Sequence, residues 1–184
     1  MNYRLEPLLK QEKLQQGIER LAQEITTKYG DQPLTIVGVL TGSVIFLADL
    51  IRQLQMPLRV YVIQASSYRG AATTPDKLMM NSELLPNLKG QQVLVLDDIF
   101  DTGLTLVQVR QRLQGLGAAE VATAVLLRKL GRQQVDYLPD FIGFDIPDEF
   151  VVGYGLDYND QHRHLPYVAA VKFDLDDPAS GGPL

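Results

Sequence analysis

One stretch, residues 93–105, constrains the fold of this chain more than any other, and it reads Val-Leu-Val-Leu-Asp-Asp-Ile-Phe-Asp-Thr-Gly-Leu-Thr. It begins with consecutive apolar residues, which is typical of a strand buried on both faces of a parallel sheet. Two adjacent carboxylates follow. After the Asp-Thr-Gly-Leu-Thr segment, one face of a predicted helix carries Leu106, Val109, Leu113 and Leu116. We therefore predict a strand, a tight loop and a helix.

The same stretch combines a site for an anion with several carboxylates. In open α/β sheets, ligands bind at the carboxyl ends of the strands. Small residues, hydroxyls and free N–H groups at the start of a helix suit a phosphate. Asp97, Asp98 and Asp101 would repel that phosphate unless a cation or a sugar with many hydroxyls lies between them. A phosphorylated ribose with Mg²⁺ satisfies both conditions, whereas a capped βα turn with solvated acids is the simpler alternative.

Composition narrows the class of protein. With 184 residues, 46% of them hydrophobic, the chain is long enough for one domain with a sizeable core. Its net charge of −5 gives no basic field for nucleic acid. Cysteine is absent, which excludes disulfides and thiolate metal sites. Because the first residues have no apolar core of signal-peptide length and no stretch is long enough to span a membrane, we expect a soluble cytoplasmic protein.

The rest of the chain alternates between predicted helices and strands, as in an α/β fold. A first helix buries residues at helical spacing between Leu14 and Ile25 and ends at Gly30. A second helix, which Ser43 can cap, presents Phe46, Leu47, Leu50 and Leu54. Apolar runs predict further strands over residues 34–40, 58–63, 121–127 and 141–146. The long stretch 66–88 has little periodicity, and a connection of that length is usually functional or disordered.

Residues 93–105 closely resemble the diphosphate-sugar signature of the type I phosphoribosyltransferases. The resemblance implies a central, mostly parallel sheet flanked by helices, a small hood built from the chain ends and a flexible lid loop. It also implies that Asp97 and Asp98 bind the ribose hydroxyls, directly or through Mg²⁺, although the family more often has Glu at the first position. Asp101 matches the general base toward N7 of a purine. The 5-phosphate of phosphoribosyl pyrophosphate would contact Asp101, Thr102, Gly103, Leu104 and Thr105, and Ile99 is a further substrate-binding residue.

A second motif, residues 146–158 followed by Arg163, resembles the 6-oxopurine branch of the family almost residue for residue. Its physical features agree: Phe150 offers a flat face for stacking, and Val151 offers backbone groups beside it. By resemblance, Lys129, Phe150 and Val151 form the purine pocket, Asp157 is a Mg²⁺ ligand and Arg163 contacts pyrophosphate. A β-hairpin with a core Phe and a surface Asp–Arg pair is the structural alternative.

Two further loops are assigned by resemblance. Leu40, Thr41 and Gly42 would hold pyrophosphate through their backbone, with Thr41 standing where relatives often have a basic residue. Ser67 and Tyr68 match the loop that closes over the reacting centre, here a lid over 66–88. We expect one domain over 1–184, with a core at about 30–145, a hood at about 146–172 plus the N-terminal residues, and a loose tail at 176–184.

The resemblance implies transfer of a phosphoribosyl group from phosphoribosyl pyrophosphate to N9 of a 6-oxopurine, with Mg²⁺ as cofactor. Hypoxanthine is the expected base and guanine a further one, and a homodimer or homotetramer is the expected assembly. A rival from another class is a regulator that keeps this fold and binds RNA or DNA. The acidic balance and the lack of a Lys/Arg run count against it. A xanthine-preferring or adenine transferase is the rival within the enzyme class.

Overall fold

The computed structural model describes residues 2–67, 78–81 and 85–173, which form helices and two sheets. The helices are α1 (Gln11–Tyr29), α2 (Val44–Ile51) and α3 (Leu104–Gly115). The strands are β1 (Tyr3–Leu9), β2 (Leu34–Leu40), β3 (Leu58–Ser67), β4 (Leu78–Met80), β5 (Gln92–Phe100), β6 (Glu120–Lys129), β7 (Phe141–Ile146), β8 (Val151–Val152) and β9 (Val168–Phe173).

The larger sheet has the order β4-β3-β2-β5-β6-β7, and every neighbouring pair is parallel except β3 and β4. This confirms the mostly parallel α/β sheet predicted from the apolar runs. Its central strand β5 is the run of the first motif, and residues 93–97 of it are buried. Burial on both faces explains why these strands are continuously apolar rather than alternating.

Helices cover the two faces of this sheet. Ile36 and Leu94 point toward α1 and α2, whereas Val37 and Val93 point toward α3. The predicted first helix is α1, whose buried stripe runs from Leu14 to Tyr29. As expected, Gly30 ends it with φ at 56° and donates its N–H to the carbonyl of Thr26 at 2.8 Å.

The smaller sheet joins the two ends of the described chain, because β1 and β8 both pair antiparallel with β9. This sheet is the hood implied by the family resemblance. Edge-to-face aromatic contacts fill one side of it, and the Tyr3 hydroxyl lies 2.6 Å from His162 Nε2. The rings involved are Tyr3, Phe150, Tyr158, His162 and Phe173.

Several local predictions differ from the structure. Asp97 and Asp98 lie within β5 rather than after it, because the pairing with β6 continues to Phe100. Likewise Lys129 is the last residue of β6, since it pairs with Ile146 of β7. The second helix ends at Ile51, so the buried Leu54 follows it. Ser43 precedes α2, but its hydroxyl donates to the carbonyl of Val39 at 2.6 Å and does not cap the helix.

The predicted lid stretch is only partly described. β3 extends to Ser67, where that residue pairs with Leu78 of β4, and Leu88 is fully buried in the core. Residues 68–77 and 82–84, and the tail from 174 onward, lie outside the described residues.

Candidate active site

Most of the predicted site residues line one cavity of about 350 Å³ at the carboxyl ends of β2 and β5, whereas Lys129, Phe150 and Val151 are not among its lining residues. This is the position expected for a ligand in a parallel α/β sheet. Three chain segments that are distant in sequence contribute to it. The predicted site residues that line it are Leu40, Thr41, Gly42, Asp97, Asp98, Ile99, Asp101, Thr102, Gly103, Thr105, Asp157 and Arg163.

The turn between β2 and α2 presses tightly against the acidic residues. The Leu40–Thr41 peptide bond is cis. A Cβ atom on Gly42 would lie 1.5 Å from Asp98 Oδ2, and a Cβ atom on Gly155 would lie 2.0 Å from the carbonyl oxygen of Gly42. Only glycine fits at these contacts, so backbone rather than side chains forms this wall of the cavity. The sequence expectation of backbone contacts from 40–42 is compatible with this geometry.

Asp97 and Asp98 form an acidic pair in a nearly dry setting. Asp97 is 8% exposed, and its Oδ1 accepts the N–H of Asp98 at 3.1 Å. Burial, and then the neighbouring Asp98 carboxylate, raise the pKa of Asp97 well above its usual range. Burial also raises the pKa of Asp98, although the hydrogen bond with Asp97, the N–H of Ile99 and the charge of Arg163 oppose this. A cation or sugar hydroxyls would satisfy these oxygens.

The loop before α3 has features that suit the binding of an anion. Gly103 has φ at 84°, a left-handed conformation that lets the chain turn sharply into the helix. The hydroxyl of Thr102 accepts the N–H of Leu104 at 3.4 Å, and Thr105 lines the cavity. The start of α3 therefore faces the cavity with its amides. Leu104 itself is 38% exposed and is not among the lining residues, so only its backbone could contact a ligand there.

Asp101, the predicted base, makes ionic contacts with two cations. Its Oδ2 lies 3.4 Å from Lys129 Nζ, and its Oδ1 lies 3.0 Å from Arg132 Nε. Asp148 lies beside both cations, at 3.8 and 3.7 Å. The sequence interpretation missed Arg132 and gave Asp148 no role. The available signal was a basic residue shortly after Lys129, across a turn at Gly131 with φ at 83°.

Lys129 belongs to this ionic cluster, and Phe150 and Val151 follow Asp148 closely in the chain, so their assignment to a purine pocket stays a prediction. The Lys129 side chain is only 11% exposed. Phe150 is 36% exposed and meets Tyr158 edge to face at 5.5 Å. Val171 donates to the carbonyl of Phe150, and Val151 pairs with Ala170, so the antiparallel alternation turns the N–H and C=O of Val151 away from β9. Those groups face the free edge of the hood sheet.

Asp157 and Arg163 form an ion pair in the lining of the same cavity. Arg163 Nη2 lies 2.7 Å from Asp157 Oδ1, and Nη1 donates to the carbonyl of Gly155 at 2.7 Å. The second oxygen of Asp157 accepts the N–H of Asp160 at 2.9 Å. Among the described residues, no group of three carboxylate or imidazole side chains is close enough to hold a metal ion. The assignment of Asp97, Asp98 and Asp157 as metal ligands therefore stays a prediction.

The donor set nevertheless suits Mg²⁺ in the presence of a phosphorylated ligand. Magnesium is commonly bound by one or two carboxylates together with water and substrate phosphates. Asp97 is buried and Asp98 half-buried, and no Lys or Arg of the described residues forms a salt bridge with either. Ser67 ends β3, and Tyr68 lies outside the described residues.

A family model described as the phosphoribosyl transferase domain matches residues 5–159. The chain therefore belongs to the phosphoribosyltransferase family. It is similar to the hypoxanthine phosphoribosyltransferase of Salmonella typhimurium, with 39% identity over 93% of this chain and 97% of that one. It is also similar to the hypoxanthine-guanine phosphoribosyltransferase of Staphylococcus epidermidis, with 37% identity over 91% of this chain and 94% of that one.

Solved structures agree with these relatives. A crystal structure of a hypoxanthine-guanine phosphoribosyltransferase from Bacillus anthracis has a TM-score of 0.84 and 33% identity, and covers 92% of this chain and 99% of its own. A ternary substrate complex of a hypoxanthine phosphoribosyltransferase variant from Trypanosoma cruzi also has a TM-score of 0.84 and 33% identity, with 90% and 94% covered. The family fold predicted from the two motifs is thereby confirmed.

Within the described ranges, no helix has both the length and the apolar character needed to cross a bilayer.

Proposed function

We propose that this protein is a purine salvage transferase that converts hypoxanthine, and also guanine, with phosphoribosyl pyrophosphate into the nucleoside monophosphate and pyrophosphate. One observation carries the proposal: the acidic pair, the anion-binding start of α3 and the Asp101–Lys129 contact lie around one site. Relatives named hypoxanthine and hypoxanthine-guanine phosphoribosyltransferase cover most of the chain.

The sugar-phosphate end of the site follows from its charges. The amides and hydroxyls of residues 101–105 bind the 5-phosphate at the start of α3. Asp97 and Asp98 accept hydrogen bonds from the ribose hydroxyls, and together with Asp157 they would hold Mg²⁺. Bound Mg²⁺ would supply charge neutralisation for the pyrophosphate. Arg163 and the backbone of the turn at Thr41 orient the leaving pyrophosphate, where negative charge develops.

At the base end, the chain's own residues position the purine and remove one proton. Phe150 stacks on the ring, the backbone of Val151 meets its edge, and Lys129 donates a hydrogen bond to O6. A bond forms between N9 and C1 of the ribose while the bond from C1 to the pyrophosphate oxygen breaks. The proton on N7 of the base passes to the Asp101 carboxylate. Ser67 and Tyr68 belong to the segment that we propose to close over this centre and exclude water.

One assay tests the proposal directly. The purified protein is mixed with phosphoribosyl pyrophosphate and Mg²⁺, and hypoxanthine, guanine, xanthine and adenine are supplied in parallel while nucleotide formation is measured. We expect efficient use of hypoxanthine and guanine and rejection of adenine. A clear preference for xanthine would support the xanthine transferase, and binding of RNA or DNA without turnover would support the regulator.

We also propose a cytoplasmic homodimer or homotetramer. Val60 and Val62 of β3 are 41% and 39% exposed, and Val44 and Ile45 at the start of α2 are each 38% exposed. Val62 pairs with Gly38, whose Cβ position faces Leu47 of α2, so these side chains lie on the same side of the sheet. Light scattering after size-exclusion chromatography tests the assembly, and a monomeric mass at micromolar concentration would contradict it.

A further inference from the structure

The connection between β6 and β7, residues 130–140, braces the anion-binding loop at successive positions. Arg132 Nε contacts Asp101 Oδ1 at 3.0 Å, and the backbone N–H of Gln134 donates to the carbonyl of Thr102 at 3.0 Å. Val135 packs on Gly103 so closely that a Cβ atom there would lie 2.5 Å from its Cγ2. We call residues 130–140 the bracing loop, because its residues 132, 134 and 135 contact residues 101, 102 and 103 in the same order.

The bracing loop is itself anchored to the core. The Tyr137 hydroxyl lies 2.8 Å from the hydroxyl of Thr123, a fully buried residue of β6. The N–H of Thr123 donates to Asp140 Oδ2 at 2.9 Å. Arg110 of α3 lies over the Tyr137 ring, 5.1 Å from its centroid. A loop held at both β6 and α3 can carry a side chain to a fixed position, which is what a positioning residue needs.

The two oxygens of Asp101 are held unequally. Oδ1 makes an ordinary charge-assisted hydrogen bond with Arg132 at 3.0 Å, whereas Oδ2 lies 3.4 Å from Lys129 Nζ, which is long for such a bond. Lys129 also lies 3.8 Å from Asp148. If Lys129 turns to O6 of a base, it leaves Oδ2 and keeps a carboxylate neighbour in Asp148. Arg132 remains on Oδ1 throughout.

We propose that Arg132 is a positioning residue that fixes the Asp101 carboxylate by Oδ1, so that Oδ2 faces the N7 proton of the base. This inference depends on the proposed role of Asp101 as the general base. The proton moves from N7 to Oδ2, and Arg132 stays protonated because a guanidinium does not titrate in proteins. In this arrangement Arg132 contacts Asp101 and Asp148 and neither the base nor the sugar. Its effect should therefore lie in the rate of the chemical step rather than in substrate affinity.

The test uses Arg132→Gln, Arg132→Lys, Asp101→Asn and the double variant Asp101→Asn with Arg132→Gln. Single-turnover rates with hypoxanthine isolate the chemical step, and steady-state measurements give KM. We expect Arg132→Gln to slow single turnover by roughly 10- to 100-fold, as small misplacements of catalytic groups do, with little change in KM. Arg132→Lys should recover part of the rate because it keeps a cationic donor. Asp101→Asn alone should lose about 10²–10⁴-fold.

Arg128→Gln is the matched control. Arg128 is nearby on β6 and makes an ion pair with Asp145 at 2.6 Å, but not with Asp101. Its loss should leave single turnover unchanged. Thermal unfolding of each variant checks that the fold persists, which is expected because the Arg132 side chain is 48% exposed.

The double variant separates the possible outcomes. If Arg132 acts through Asp101, Arg132→Gln should slow Asp101→Asn no further. Independent, multiplying effects would overturn the inference, as would a normal single-turnover rate for Arg132→Gln. In both cases an impaired Asp101→Asn would leave the proposed base in place. If Asp101→Asn itself reacts at the normal rate, the proposed role of Asp101 fails, and the inference about Arg132 fails with it.

Discussion

Lys129 is the side chain to which we assign the choice of base. It is a donor-only group, mostly buried, whose described partners Asp101 and Asp148 lie at 3.4 and 3.8 Å. The O6 acceptor of hypoxanthine or guanine suits it, whereas the amino group of adenine sets donor against donor. A site built to bind one substrate group can reject an analogue lacking that group by roughly 10⁴-fold.

We therefore expect Lys129→Ala to reduce kcat/KM for hypoxanthine and guanine and to shrink their advantage over adenine. If Phe150 stacks on the purine as proposed, it does so with any base, so Phe150→Leu should weaken all bases alike and serves as the control. The measurement is kcat/KM for each base with each variant. An unchanged ratio of oxopurine to adenine in Lys129→Ala would show that selectivity resides elsewhere.

Asp97 illustrates the conflict between stability and function at a single carboxyl. Its folded-state pKa is raised by burial and by Asp98, whereas its ordinary value is 3.8. Above that value the unfolded chain has released the proton while the folded protein still holds it. Stability therefore falls as pH rises toward the folded-state pKa.

Asp97→Asn should accordingly raise the melting temperature of the ligand-free protein, more at pH 8 than at pH 5, while activity is lost. Asp145→Asn is the opposite control, since the hydrogen bond from Arg128 lowers the pKa of Asp145. That pair stabilises the fold above the ordinary pKa and loses its effect as pH falls through the lowered one. Thermal unfolding across pH measures both, and a destabilised Asp97→Asn at pH 8 would contradict the expectation.

Among the secondary-structure elements, α1 and β7 are joined by an unusually close contact. A Cβ atom on Gly17 would lie 2.1 Å from the Phe144 ring. Replacing a helix-interior glycine by alanine ordinarily stabilises by about 1 kcal/mol. Here the steric cost should dominate, because overpacking typically destabilises by about 1–3 kcal/mol.

We predict that Gly17→Ala lowers the free energy of unfolding by up to about 2 kcal/mol, the overpacking penalty less the gain in helix propensity. Gly115→Ala in α3 is the matched control, because nothing lies within 4 Å of its Cβ position and it should be neutral or stabilising. Adding Phe144→Leu to Gly17→Ala should relieve part of the loss. Urea unfolding measures all three, and a stabilised Gly17→Ala would show that the ring moves aside freely.

The elements also show where sequence reasoning succeeds. Long apolar runs predicted β2 and β7 with their observed bounds, because strands buried on both faces have a strong local signal. The sequence did not predict β1. The exposure of its residues alternates only loosely, and its partner β9 lies at the other end of the described chain. Pairing that depends on such a distant segment leaves little local pattern.

At the scale of the whole molecule, the candidate site connects the core to the hood. Asp97 and Asp98 come from β5, and Asp157 with Arg163 comes from the segment between β8 and β9. A bound Mg²⁺–diphosphate would bridge these parts. We predict that excess chelator abolishes transferase activity and that added Mg²⁺ restores it.

Binding of the Mg²⁺–diphosphate ligand can also be measured without turnover, from the melting temperature. Phosphoribosyl pyrophosphate should raise the melting temperature more with Mg²⁺ than with chelator, since a ligand that binds the folded state stabilises it. Arg128→Gln should behave as the unmodified protein, because Arg128 pairs with Asp145 and with none of these carboxylates. Full activity in chelator would show that the carboxylates have another task.

The sequence by itself determined the α/β class, the mostly parallel sheet and the position of the candidate site. Residues 93–105 carry strand, loop and helix signals in one local run, and parallel strands bring their carboxyl ends to one edge. Only the tertiary structure decided that Arg132 contacts Asp101 and that Gly42 lies against Asp98. These contacts join segments far apart in the chain. Their distances depend on how whole elements pack, which no local pattern of residues encodes.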